Sequence, residues 1–115
     1  MNYNDLQVWQ ESMKIVTSIY QLTKKMPVEE RFSLTDQMRR AAVSIPSNIA
    51  EGHARRTKTD FARFLRMSLG SCTELETQLI ISHNLEYVSK DDIDPIIEQS
   101  LIIRKMISKL ISTLS

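Results

Sequence analysis

The residues able to do chemistry are few, and most stand apart from one another. Metal sites in helical bundles use Glu-x-x-His pairs that project both side chains from one face. Here Glu51 is two positions from His53 rather than three, and His83 lies far along the chain. No metal site or cofactor is expected. A nucleophile would need a histidine beside a thiol or hydroxyl. The single thiol, Cys72, instead falls on an apolar series near Gly70 and reads as a buried structural residue. One cysteine also excludes an internal disulfide and fits a reducing compartment. The 2 glycines, Gly52 and Gly70, cannot build a phosphate-cradling loop.

Two concentrations of polar residues remain. The first follows Arg39, where Arg40, Ser44, Asn48 and Glu51 recur at steps of four, four and three and so share one helical edge. Ser71, Glu74 and Gln78 share an edge in the same way. The favoured reading is a structural polar seam in which Arg40 pairs with Glu74 or Glu51, and Asn48 satisfies carbonyls loosened by Pro46. A catalytic carboxylate at Glu51 or Glu74 ranks below it, so no enzymatic activity is expected. The second concentration is cationic. From residue 39 to 66 seven Arg or Lys face only Glu51 and Asp60, a balance of +5, whereas the whole chain carries +1. A uniformly basic coat is therefore excluded, and any nucleic-acid surface must be local. Arg55, Arg56 and Lys58 sit at a turn, with Arg63 and Arg66 following on one side of the next helix, a patch suited to phosphates of RNA or DNA. The competing reading is a solvated face paired with an acidic neighbour.

The elements that hold these residues follow from composition and period. The 115 residues include 42% apolar but only 2 Gly and 3 Pro, which favours helices over a turn-rich β fold. Leu6, Trp9, Met13, Val16 and Tyr20 mark the inward stripe of a first helix, from about Asp5 to Lys24, capped by Asn4 with Gln7. A second helix opens at a Ser33–Asp36 box, carries Leu34, Met38, Ala41, Ala42, Ile45 and Ile49, and kinks near Pro46, with Gly52 approaching its end. Thr57 with Asp60 opens a third that reaches about His83, and Ser89 with Asp92 opens a fourth that runs nearly to the C-terminus. The architecture predicted is all-α: an antiparallel up-down-up-down four-helix bundle forming a single domain over residues 1–115. Val8, Ile15, Ile19 and Leu22 on the first helix, with Ile97 and Leu101 on the fourth, exceed one stripe and predict self-association into a ring. Met1 to Gln10 lacks the pattern of a signal peptide, and no run approaches the ~18 apolar residues that span a bilayer, so a cytoplasmic protein without membrane contact is expected.

The run from Arg39 to Gly52, with Ser44-Ile45-Pro46-Ser47-Asn48-Ile49-Ala50-Glu51-Gly52 at its centre, resembles the signature of the four helix bundle proteins associated with 23S ribosomal RNA intervening sequences. Leu6 to Trp9, Pro27 to Glu30, Gln37, Arg40-Ala41, Phe64-Leu65, Gly70-Ser71, Glu74-Leu75 and Leu79 match the family in order, so the resemblance spans nearly the whole chain. Ser68 departs from the family's common alanine. The resemblance implies a bacterial bundle related to accessory variability proteins of diversity-generating retroelements, which form pentamers whose basic surface engages nucleic acid and a reverse transcriptase. The function expected is that of a non-enzymatic homo-oligomer, a pentamer on the family pattern, that contacts structured RNA or DNA. The alternative is a scaffold or accessory subunit for a protein partner such as a reverse transcriptase.

Overall fold

In the computed structural model, which describes residues 1–114, the chain forms α1 (Gln7–Leu22), α2 (Leu34–Ala54), α3 (Lys58–Asn84) and α4 (Lys90–Ser112). Short 3₁₀ turns at Tyr3–Asp5, Thr23–Lys25 and Val28–Glu30 lead into α1 and connect α1 to α2. Two helix starts follow their local sequence. Thr57 Oγ1 accepts from the Asp60 N–H at 3.1 Å, and Ser89 Oγ accepts from the Asp92 N–H at 3.1 Å while the Ser89 N–H donates back to Asp92 at 3.0 Å. The boxes expected at Asn4 and Ser33 do not form. Leu6 caps α1 without a side-chain oxygen, and the Asn2 N–H instead donates to Asp5 in the preceding turn. At α2 the turn Val28–Glu30 brings in a longer carboxylate: Glu30 accepts from the Ser33 hydroxyl and from the Leu34 N–H, which frees Asp36 for Arg40. Bonds from Ser33, from the Tyr87 hydroxyl and from the Leu34 N–H hold the Glu30 carboxyl below its ordinary pKa.

All four helices bury positions at alternating steps of three and four, the spacing that keeps one seam inward in a bundle. These are Val8, Ser12, Ile15, Ile19 and Leu22 on α1, Met38, Ala42, Ile45, Ile49 and Gly52 on α2, Leu65, Ser68, Cys72, Leu75, Leu79 and Ser82 on α3, and Ile93, Ile96, Ser100, Ile103 and Ile107 on α4. The inward stripe of α1 is thus the one taken above as excess. Leu6, Trp9 and Val16 lie half-buried at its edge, and Met13 and Tyr20 are each 42% exposed. Ser12 decides the matter. Its hydroxyl donates to the Trp9 carbonyl at 2.8 Å, so it enters the core without an unpaired donor, and its small volume admits the neighbouring helices.

Contacts between helices run in opposite senses. Lys25 meets Asp92 at 2.7 Å and Ser18 meets Gln99 at 3.2 Å, while Leu6 and Val8 share a groove with Leu110. Likewise Ser44 of α2 bonds Ser71 of α3, and Gly52 lies against Phe64. The bundle extends 43 Å by 23 Å by 19 Å. One end therefore gathers the starts of α1 and α3 with the ends of α2 and α4. Pro46 is buried inside α2, which is helical throughout Leu34–Ala54. Carbonyls around it are bonded by side chains: Ser44 Oγ donates to Ala41 at 2.8 Å, Asn48 Nδ2 to Ser44 at 2.9 Å, and Ser68 Oγ from α3 to Ile45 at 2.9 Å. No helix among the described residues is long and apolar enough to cross a membrane.

Candidate nucleic-acid interface

The five cations singled out above lie at the α2–α3 turn and along the first turns of α3, all exposed. They divide into two groups. Arg55, the last cap of α2, donates to Glu51 at 2.9 Å, and Arg63 lies 3.6 Å from Asp60. Both guanidiniums also face the Phe64 ring, at 5.1 Å and 4.6 Å from its centroid, so they brace the corner as well as charge it. Arg56, Lys58 and Arg66, by contrast, make no ion pair among the described residues. Arg56 holds φ 67°, the left-handed conformation that usually belongs to glycine just past a helix end. Such a backbone costs about 1 kcal/mol for a residue with a side chain. Lys58 and Arg66 stand two turns apart, about 12 Å along the helix, and flank a groove of about 340 Å³ whose wall includes Ala62, Ile111 and Leu114.

Gly52 sets this corner. A methyl group there would lie 2.6 Å from Phe64 Cβ and 3.2 Å from Phe61 Cδ1. Gly52 thus lies two residues before the helix end, as expected, and its role there is close approach of α2 to α3. His53 packs edge-on against Phe61, with ring centroids 5.6 Å apart.

The polar seam is assembled differently from expectation. Arg40 pairs with Asp36 at 2.8 Å, Glu51 with Arg55, and Glu74 accepts from Gln78 Nε2 at 3.1 Å. Neither Arg40–Glu74 nor Arg40–Glu51 forms, because each charge finds a partner one turn away on its own helix. Among the described residues of the two edges the Ser44–Ser71 bond links α2 to α3, and Asn48 serves the Ser44 carbonyl rather than that of Ala42, the one that Pro46 deprives of its N–H partner. The cross-helix polar contact that sequence reasoning missed lies between α3 and α4. Glu76, with its side chain 14% exposed, accepts from Ser100 Oγ at 2.7 Å and from Arg104 at 3.1 Å. The available signal was Ser100 interrupting an isoleucine series at an inward position. Cys72 lies one turn from Glu76 and is fully buried, and that burial pushes its thiol up to about 11, so it stays protonated near neutrality. His83, near the other end of α3, faces the Val88 carbonyl through Nδ1 at 3.2 Å. No group of three or more His, Cys, Asp or Glu among the described residues is placed to hold a metal ion.

Fold and charge together define an all-helical bundle protein with three cations, Arg56, Lys58 and Arg66, that lack carboxylate partners among the described residues at the corner between α2 and α3. The chain belongs to the family of the 23S rRNA-intervening sequence protein, whose model matches residues 4–109. Among solved structures it is similar to a protein with unknown function from the S23 ribosomal protein family of Bacteroides thetaiotaomicron. The two share 27% identity and a TM-score of 0.83, over 90% of this chain and 97% of that one. No curated protein matches the sequence.

Proposed function

We propose that the protein is a non-enzymatic, cytoplasmic, oligomeric binding protein that contacts the backbone of structured RNA or DNA through Arg56, Lys58 and Arg66, with Arg55 and Arg63 adding to the field. The observation that carries this reading is the placement of three cations without carboxylate partners at one corner, one of them on a strained backbone. Cations left unpaired on a chain of nearly balanced charge are available to phosphates, and each phosphate neutralised adds about −0.9 to the slope of log affinity against log salt. Membership in a family named for a 23S rRNA intervening sequence points the same way.

The test replaces Arg56, Lys58 and Arg66 together with Glu and measures binding to an RNA hairpin and a DNA duplex across a salt series. Parent protein should bind with affinity falling steeply as salt rises, and the variant should fold normally and not bind. Equal binding by both refutes the site. Binding by neither turns the reading toward a scaffold or accessory subunit for a protein partner such as a reverse transcriptase, whose apolar contact would resist salt. That second reading is favoured by a groove of about 350 Å³ between α1 and α2, lined by Tyr3, Trp9, Met13, Val16, Val43 and Pro46. The same face suits self-association, in place of the core residues Val8, Ile15, Ile19 and Leu22. A ring, and five copies on the family pattern, is the arrangement we infer, and light scattering giving a mass near 13.3 kDa would refute it.

A further inference from the structure

A second polar constellation lies at the opposite end of α2, away from the basic turn. The connection from α1 to α2 forms a pocket of about 210 Å³, with Thr23, Arg31, Thr35 and Arg39 on its polar walls and Met26 and Val28 beside them. Arg39 is the central group. Its Nε donates to Thr23 Oγ1 at 3.0 Å, and its guanidinium carbon sits 4.7 Å from the Tyr20 ring centroid. A hydroxyl and a ring thus orient the fork, and no carboxylate among the described residues pairs with it. Its terminal N–H groups keep their donors and its charge stays uncompensated. Arg31, which faces the Phe32 ring at 4.7 Å, likewise makes no ion pair.

The second observation is Thr35. It is 5% exposed, lines this pocket, and its hydroxyl is buried without a hydrogen-bond partner. Buried hydroxyls are rarely left so, because the orphaned group loses its hydration for nothing. Threonine on a helix populates two χ1 rotamers, so an acceptor in the pocket can draw the hydroxyl across. Two nearby carboxylates are already engaged, Glu30 by Ser33, Tyr87 and the Leu34 N–H and Asp36 by Arg40, while Glu29 is exposed and makes no ion pair with Arg31 or Arg39.

We infer that this pocket binds a single phosphoryl group, as inorganic phosphate or as the terminal phosphate of a phosphomonoester. Two guanidiniums, which can only donate, and a hydroxyl with its donor unused match an oxyanion carrying several acceptor oxygens. Because Arg39 is already held in place, little side-chain freedom is lost on binding. The site lies about 30 Å along α2 from the basic turn, so its standing is independent of the nucleic-acid reading.

The experiment is calorimetric titration of the whole chain with inorganic phosphate and, separately, with a 5′-mononucleotide, at ionic strength held constant by sodium chloride. Saturable binding is expected. Thr35→Val, which removes the orphaned hydroxyl and keeps the shape, should leave the fold at least as stable and weaken phosphate binding by about tenfold. Arg31→Gln, at an exposed position, should weaken it without affecting folding, and Arg39→Gln should weaken it most. Tighter binding of the mononucleotide identifies a phosphomonoester as the ligand, and tighter binding of phosphate identifies the free ion. Heats no different from added chloride overturn the proposal. So does binding that Thr35→Val and Arg31→Gln leave unchanged, which would mark an adventitious ion elsewhere on the surface.

Discussion

Replacing Gly52 with alanine tests how closely α2 and α3 must approach at the basic corner. The new methyl would sit 2.6 Å from Phe64 Cβ and 3.4 Å from Phe61 Cα. Carbon atoms in good contact lie about 3.5–4.0 Å apart, so the first gap falls short by roughly 1 Å. Phe64 Cβ is the root of its side chain, so no rotamer change removes the conflict and the helix backbones must separate. Overpacking of this kind costs about 1–3 kcal/mol. Against it stands the better helix propensity of alanine over glycine, about 1 kcal/mol. Gly70 supplies the control, since it also lies inside a helix and a methyl there meets nothing within 4 Å. Gly70→Ala should therefore stabilise by about 1 kcal/mol, and Gly52→Ala should leave stability unchanged or lower it by up to about 2 kcal/mol. The propensity gain is common to both, so their difference reports the clash alone. At roughly 4 °C per kcal/mol for a chain of this size, the two melting temperatures should differ by about 4–12 °C. Thermal unfolding followed by far-ultraviolet circular dichroism at one protein concentration measures it. If Gly52→Ala raises the midpoint as much as Gly70→Ala does, the helices have room to spare and the account of the corner is wrong.

Other consequences are as direct. The Asp92 carboxyl is held down at about 2 by Lys25, by the Ser89 N–H and by the Ser89 hydroxyl, against 3.8 ordinarily. Its stabilising effect is present above the unfolded value and disappears as pH falls from about 4 through 2. Asp92→Asn should accordingly destabilise at pH 7 and much less near pH 2, as urea unfolding at the two pH values will show. Glu76→Gln removes a charge that Ser100 and Arg104 both contact and should cost about 1–3 kcal/mol. A double-mutant cycle with Arg104→Gln should recover part of that loss, and strict additivity would mean that the pair does not interact.

Much of the architecture is local in origin and was therefore legible in the amino-acid order. The caps Thr57 and Ser89 need only a hydroxyl three residues before a free N–H, the burial of Cys72 follows from its place in an apolar series, and the cations of the α2–α3 turn are neighbours in the chain. Helix number and the family signature around Pro46 belong to the same kind of information. Partners that depend on distance through space were decided only by the tertiary structure. On α1 two adjacent stripes are both largely apolar, and periodicity alone ranks the one interrupted by Ser12 lower. Packing reverses that order, because a small self-bonded serine fits in the core while Met13 and Tyr20 stay exposed and Trp9 lies at its edge. Glu76 found Ser100 and Arg104 because the geometry of helix pairing, which no single helix contains, fixes which side chains come within hydrogen-bond reach, whereas Arg40 settled on Asp36, a partner one turn away on its own helix.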